Sequence, residues 1–132
     1  MSRVKITVYG KVMGKPRPRV TKFGTYTPKE CKVYEKKIRD AYLETGAKPF
    51  EGEVSLVVTT HRRLPDSRPK KVLFEPDVYK PDADNIGKIV MDALNGVAYE
   101  DDKFVTVQSV VKMPRVRGVR ECIEVEVSEV RR

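Results

Sequence analysis

The sequence predicts an α/β fold: one two-layer domain over residues 1–132, with a mixed or mainly antiparallel sheet of about four to five strands and two main helices. Two observations predict it. Four segments carry the two-residue alternation of half-buried strands. Two others carry helical spacing with recognisable start and stop signals. A chain of 132 residues is long enough to bury one core without disulfide staples, and we find no linker, repeat or low-complexity segment.

The elements follow in order. Val4, Ile6 and Val8 alternate with Lys5, Thr7 and Tyr9, which predicts a strand ending at Gly10. Residues 11 to 26 then read KVMGKPRPRVTKFGTY, a basic loop without an acid, biased to extended forms by Pro16 and Pro18. Phe23 and Tyr26 interleave its cations, a composition suited to binding phosphates. Thr27-Pro28-Lys29-Glu30 is a capping box with Pro at the first helical position. It predicts a helix to about Glu44, stopped by Gly46, with Val33, Ile38, Ala41 and Tyr42 as inward positions and Tyr34 competing.

Val54, Leu56 and Val58 alternate in a second strand within residues 51 to 60. The following stretch to Tyr79 is rich in Pro and charge and is expected to be mobile until a substrate orders it. Its His61 reads as incidental to chemistry. Asp84 or Asn85 is expected to cap a second helix, whose apolar stripe is Ile86, Ile89, Val90, Ala93, Leu94 and Val97, with Gly96 at its C-terminal turn. Gly87 in its first turn costs about 1 kcal/mol relative to Ala, so a close approach by another backbone or a substrate is expected there. Strands are expected over residues 104–111 and 120–127, joined as a hairpin by a loop at 113–119.

Charge narrows the function. The chain has 27 Lys and Arg against 19 Asp and Glu, a net charge of +8, which favours a polyanion such as nucleic acid as partner. Two cysteines and one histidine make zinc chemistry a poor fit. No apolar run reaches the roughly 18 residues of a membrane span, and the N-terminus lacks a signal-peptide core, so a cytoplasmic protein is expected.

Against this basic background stands one acidic stretch, Lys80 to Asp102. It carries Asp82, Asp84, Asp92, Glu100, Asp101 and Asp102 against two bases, Lys80 and Lys88. Asp82 and Asp84 stand two apart before the second helix, so in extended chain they point the same way. Asp101-Asp102 arrives from the helix's other end. Should the strand that follows lie beside Asp82, three carboxylates would converge, and convergent carboxylates need a cation. Mg²⁺ fits, with Mn²⁺ as a substitute: it takes oxygen ligands and can activate water against a phosphodiester. Lys88 could reach the phosphate charge. In the bland alternative Asp84 only caps a helix and Asp101-Asp102 is a solvated turn. An EF-hand is excluded because Ile86 and Ala93 occupy ligand positions.

Residues 80–108, with P-D-x-D-N, a Lys four after the second Asp, D-A-L-N-G and D-D before a strand, resemble the signature of the RusA-type Holliday junction resolvases, often carried by phages and prophages. G-K-P-R-P-R and Y-T-P at 14–19 and 26–28 are similar to many members. The resemblance implies a homodimeric, Mg²⁺-dependent endonuclease that cuts four-way DNA junctions by paired symmetric nicks. It implies Asp82, Asp84 and Asp102 as catalytic metal ligands and Lys88 as the family's lysine; Asp101 has no assigned role. The basic clusters name the expected DNA-binding residues: Lys15, Arg17, Arg19 and Lys22 in the first loop, and Arg62, Arg63, Arg68, Lys70 and Lys71 in the second. The alternatives are a junction-binding protein without turnover, or another D-x-D transferase.

Overall fold

The structure is a computed structural model; it describes residues 3–16, 19–21, 24–26 and 29–131. In chain order the elements are β1 (Arg3–Tyr9), β2 (Arg19–Thr21), β3 (Gly24–Tyr26), α1 (Lys29–Glu44), β4 (Val54–His61), β5 (Phe74–Glu75), α2 (Ala83–Leu94), β6 (Val105–Lys112), β7 (Arg115–Val116) and β8 (Cys122–Glu129). A short 3₁₀ turn, Asp102–Phe104, leads into β6.

The main sheet has the order β1-β8-β4-β6. β8 is antiparallel to both of its neighbours, and β6 is parallel to β4, so the sheet is mixed. Two small antiparallel pairs, β2–β3 and β5–β7, lie apart from it. The expected α/β class, four strands and two helices are therefore present.

The core lies between the sheet and a layer made by both helices. α1 contributes Cys31, Tyr34, Ile38 and Tyr42, a spacing of three, four and four that makes one face of a helix. Tyr34 therefore takes the inward position, and Val33 is exposed. α2 contributes Ile86, Ile89, Val90, Ala93 and Leu94, all fully buried. From the sheet come Ile6, Val8, Val54, Leu56, Val58, Ile123, Val125 and Val127. Gly46 and Gly96 have φ of +72° and +78°, the left-handed turns expected after the helices. The capping-box residues Thr27 and Pro28, and Phe23 of the first loop, lie outside the described residues.

Three expectations are corrected. β6 and β8 do not form a hairpin: β8 runs between β1 and β4, and β6 joins the far side of β4. Burial explains the choice. Ile123, Val125 and Val127 are fully buried and suit a central strand, whereas β6 leaves Val107 and Val111 exposed and takes the edge. The segment after β4 is not loose either. Its β5 pairs with β7, Leu64 N–H donates to Val116 carbonyl at 3.0 Å, and Arg117 donates to the carbonyls of Val72, Arg68 and Pro69. Finally, α2 is capped earlier than expected, two residues before Asp84 and three before Asn85. Asp82 holds the N-cap position, in extended backbone, and its side chain makes no capping hydrogen bond.

The connection from β4 to β6 spans residues 62–104 and contains α2. It rises from a strand, crosses the sheet as a helix and returns beside that same strand. Every acidic residue singled out in the sequence sits on it.

Candidate nuclease site

α2 presents two sides. Its apolar side packs on the core, and Asp84, Lys88 and Asp92, four apart, share the opposite stripe. At its N-terminus Asp82 and Asp84 line a cavity of about 850 Å³ together with Asn85, Gly14, Lys11, Lys15, Arg62 and Lys80. Two carboxylates thus face four cationic side chains from three different segments.

The loop of residues 11–16 is laid directly on the first turn of α2. Lys15 N–H donates to Asn85 carbonyl at 2.8 Å. A Cβ on Gly14 would lie 2.8 Å from Pro81 Cβ and 3.0 Å from Asn85 Cβ, so only glycine permits this approach. Glu121 holds the loop from beneath: Val12 N–H donates to its Oε2 at 2.7 Å. The Lys15 ammonium lies 2.7 Å from Glu35 of α1 and 3.2 Å from Asp92 of α2. Burial works against its charge, but the hydrogen bonds to Glu35 and Asp92 outweigh it, and its pKa is raised.

Asp102 lies along the stripe rather than in the cavity. Its carboxyl is held above the usual range, first by a hydrogen bond with Asp101, then by burial and by the charges of Asp101 and Asp92, opposed by Lys88. Asp101 moves the other way, because Lys103 N–H and Asp102 donate to it. Lys88 is exposed, with its ammonium 3.9 Å from Asp92. Asp92 is ten residues along the helix from Asp82, roughly 15 Å at the α-helical rise. Asp82 and Asp84 thus line one cavity, while Asp102 is outside that lining and feels the charges of Asp92 and Lys88. Among the described residues no three His, Cys, Asp or Glu side chains gather closely enough to hold a metal ion. The Asp82–Asp84 pair alone fits Mg²⁺, which needs only one or two carboxylates beside water and phosphate oxygens.

The expected DNA-binding residues divide by environment. Arg63 is exposed and pairs with Asp66, and Lys70 and Lys71 are exposed. Arg68 is engaged by Glu75 and donates to the Tyr79 hydroxyl at 3.3 Å. Arg62 bonds Asp77 and the Lys80 carbonyl on the cavity wall. Arg19 lies in β2, and Arg17 and Lys22 lie outside the described residues. Sequence reasoning gave no role to Asp77, Lys112, Glu121 or Gln108. Only Asp92 left a signal, its four-residue spacing from Lys88. Gln108 of β6 lies over α2: a Cβ on Gly87 would meet its Nε2 at 2.6 Å, so a side chain, not a backbone or substrate, makes the close approach.

Paired carboxylates beside cationic side chains are a composition suited to phosphate esters. The family model described as "Endodeoxyribonuclease RusA" matches residues 9–128. The chain belongs to the RusA endodeoxyribonuclease family. It is also similar to the "Uncharacterized protein YqaN" of Bacillus subtilis (strain 168), with 32% identity over 136 residues, covering 88% of this chain and 94% of that protein. No helix among the described residues is long and apolar enough to cross a membrane.

Proposed function

We propose that the protein is a Mg²⁺-dependent, structure-specific endodeoxyribonuclease that resolves four-way DNA junctions by paired symmetric nicks, acting as a cytoplasmic homodimer. Family membership supports the nuclease chemistry. The observation that carries the site assignment is that Asp82 and Asp84 share one cavity with Lys11, Lys15, Arg62 and Lys80.

In this reading Asp82 and Asp84 hold Mg²⁺, or Mn²⁺ in its place. Asp102 is assigned to the same ion on the sequence motif; its charged neighbours in the structure are Asp101, Asp92 and Lys88. When bound, the ion supplies neutralisation of phosphate charge and a lower pKa for the attacking water. The protein's own groups do the rest. Lys88, free of the apolar core, meets negative charge developing on the phosphate. Arg62 and Lys11 position the strand at the cavity mouth. Exposed Arg63, Lys70 and Lys71 neutralise flanking phosphates and make affinity fall steeply with salt. A junction has approximate two-fold symmetry, so a C2 dimer would set one cavity at each of two opposed strands.

One observation favours a second reading, a junction-binding protein without turnover: Asp102 is not gathered with Asp82 and Asp84. A single assay separates the two. The protein is incubated with labelled four-way junction and with linear duplex, each with Mg²⁺ or EDTA. Paired nicks on the junction, dependent on Mg²⁺, support the resolvase. A mobility shift without nicks supports the binder.

A further inference from the structure

We propose that Asp77 is the positioning residue that sets where Asp82 and Asp84 stand; the proposal rests on the reading of the cavity given above. The Asp77 side chain is fully buried, yet it lies in a surface-crossing segment rich in charge. Its carboxylate is met from two directions. Arg62, just beyond the end of β4, lies 3.2 Å away, and Lys112, the last residue of β6, lies 3.8 Å away. Tyr79 N–H also donates to it, at 3.4 Å.

Each cation has a second partner, and both second partners are backbone carbonyls immediately before α2. Arg62 Nη1 donates to Lys80 carbonyl at 2.8 Å, and Lys112 Nζ donates to Tyr79 carbonyl. Asp77 is thus the counter-charge that lets two cations from neighbouring parallel strands grip residues 79 and 80 together. Asp82 follows two residues later as the N-cap, its own carbonyl accepting from Ile86 N–H at 3.0 Å. Apolar packing fixes the helix axis, because Ile86, Ile89 and Val90 are buried. It does not fix the extended chain that delivers Asp82. Gly14 packs against Pro81 on one side of that chain; the two carbonyl contacts hold residues 79 and 80, and these need Asp77.

Removing the charge at position 77 leaves Lys112 and Arg62 adjacent, with Glu121, 4.0 Å from Arg62 Nε, as the remaining carboxylate beside them. They separate toward water and release both carbonyls. The carboxylates then sample several positions, and a misplacement of about 1 Å can cost two orders of magnitude in rate.

The test compares the full-length wild-type protein with Asp77→Asn, an isostere without charge, and Lys112→Met, which should release the Tyr79 carbonyl alone. Amide exchange by mass spectrometry, cleavage kinetics on labelled junction, junction affinity without Mg²⁺ and circular dichroism are measured for each. Asp77→Asn should speed exchange at least about tenfold in residues 79–86 while strands β4 and β8 keep wild-type protection. Its kcat should fall at least about tenfold, a larger factor than the change in KM or in junction affinity, which the freed Arg62 shifts by no more than a few-fold. Lys112→Met should give a smaller change of the same kind, and the double variant should be no worse than Asp77→Asn. Unchanged exchange in residues 79–86 overturns the proposal. So does exchange that rises equally in β4 and β8, which marks a general structural role, or a raised KM with kcat unchanged. Should wild-type protein cut no junction, the proposed reaction fails, and the exchange comparison alone decides whether Asp77 holds the segment.

Discussion

The Lys15 ammonium lies 3.2 Å from the Asp92 carboxylate, and this contact ties the glycine-containing loop after β1 to the middle of the acidic stripe on α2. Glu35 completes the group from α1, so one lysine joins three segments. The lysine lines the cavity, and its charge is taken up by two carboxylates.

Replacing Lys15 by Met leaves Glu35 without this cation and Asp92 with the exposed Lys88, 3.9 Å away. The Lys15, Glu35 and Asp92 side chains are largely shielded from solvent, so the loss should exceed that of a surface pair. The expected destabilisation is about 1–2 kcal/mol, between the values for exposed and buried pairs. Asp92→Asn should cost less, because Glu35 still pairs with Lys15. Urea unfolding followed by circular dichroism measures both.

Asp82→Asn should lower junction cleavage by about a hundredfold or more, since it removes half of the carboxylate pair. Junction affinity should stay within a few-fold, because the cationic residues remain. Loss of binding together with cleavage would count against this division of roles. Gel shift in EDTA and product analysis in Mg²⁺ measure the two quantities.

Two glycines should respond differently to alanine. At Gly14 the added Cβ meets Pro81 and the Asn85 main chain, which cannot move without shifting α2. A cost of about 1–3 kcal/mol is expected, as for other overpacked sites. At Gly87 the three atoms nearest the added Cβ all belong to the exposed Gln108 side chain, which can swing into solvent. The gain in helix propensity, about 1 kcal/mol, should then offset the displacement, leaving stability nearly unchanged. Thermal unfolding of the two variants gives the comparison.

Acid should loosen the segment between β4 and α2 before the core unfolds. Glu75 is held below its ordinary pKa, first by the hydrogen bond from Arg115 and then by that from Arg68. A carboxylate with a lowered pKa stabilises the fold above its unfolded value, near 4.3, and that contribution is lost as pH falls through the folded value. Limited proteolysis within residues 65–75 should therefore rise below about pH 4. Glu75→Gln should show the raised susceptibility at neutral pH and little further change on acidification.

Periodicity explains what was legible beforehand. Both helices were readable because their buried positions recur at helical spacing, and the strands because Val54, Leu56 and Val58, or Ile123, Val125 and Val127, alternate without interruption. Strand order was not readable, since alternation reports which face is buried and says nothing of the neighbour. That is why β6 and β8 looked like a hairpin. The start of α2 was misread because Asp84 and Asn85 are good capping residues, whereas Asp82 holds the cap position through its backbone alone. Asp77 was invisible for a different reason. An acid in a Pro-rich, charged segment reads as solvated, and its burial depends on Arg62 and Lys112, which come from separate strands. The carboxylates of the acidic stretch stood out through charge contrast, but their spacing could not tell that Asp102 would lie outside the cavity that Asp82 and Asp84 line.

The single passage from β4 to β6 carries Asp82, Asp84, Lys88, Asp92 and Asp102, while β1, β8 and α1 lie outside it. The acidic groups can therefore change together, within the limits set by Lys15 and Lys112, which hold the segment from outside it. A lineage can rewrite residues 62–104, altering which DNA shape is recognised or how it is cut, while the four strands of the main sheet and the first helix keep their sequence. Recombination at the two strand ends would exchange this cassette whole.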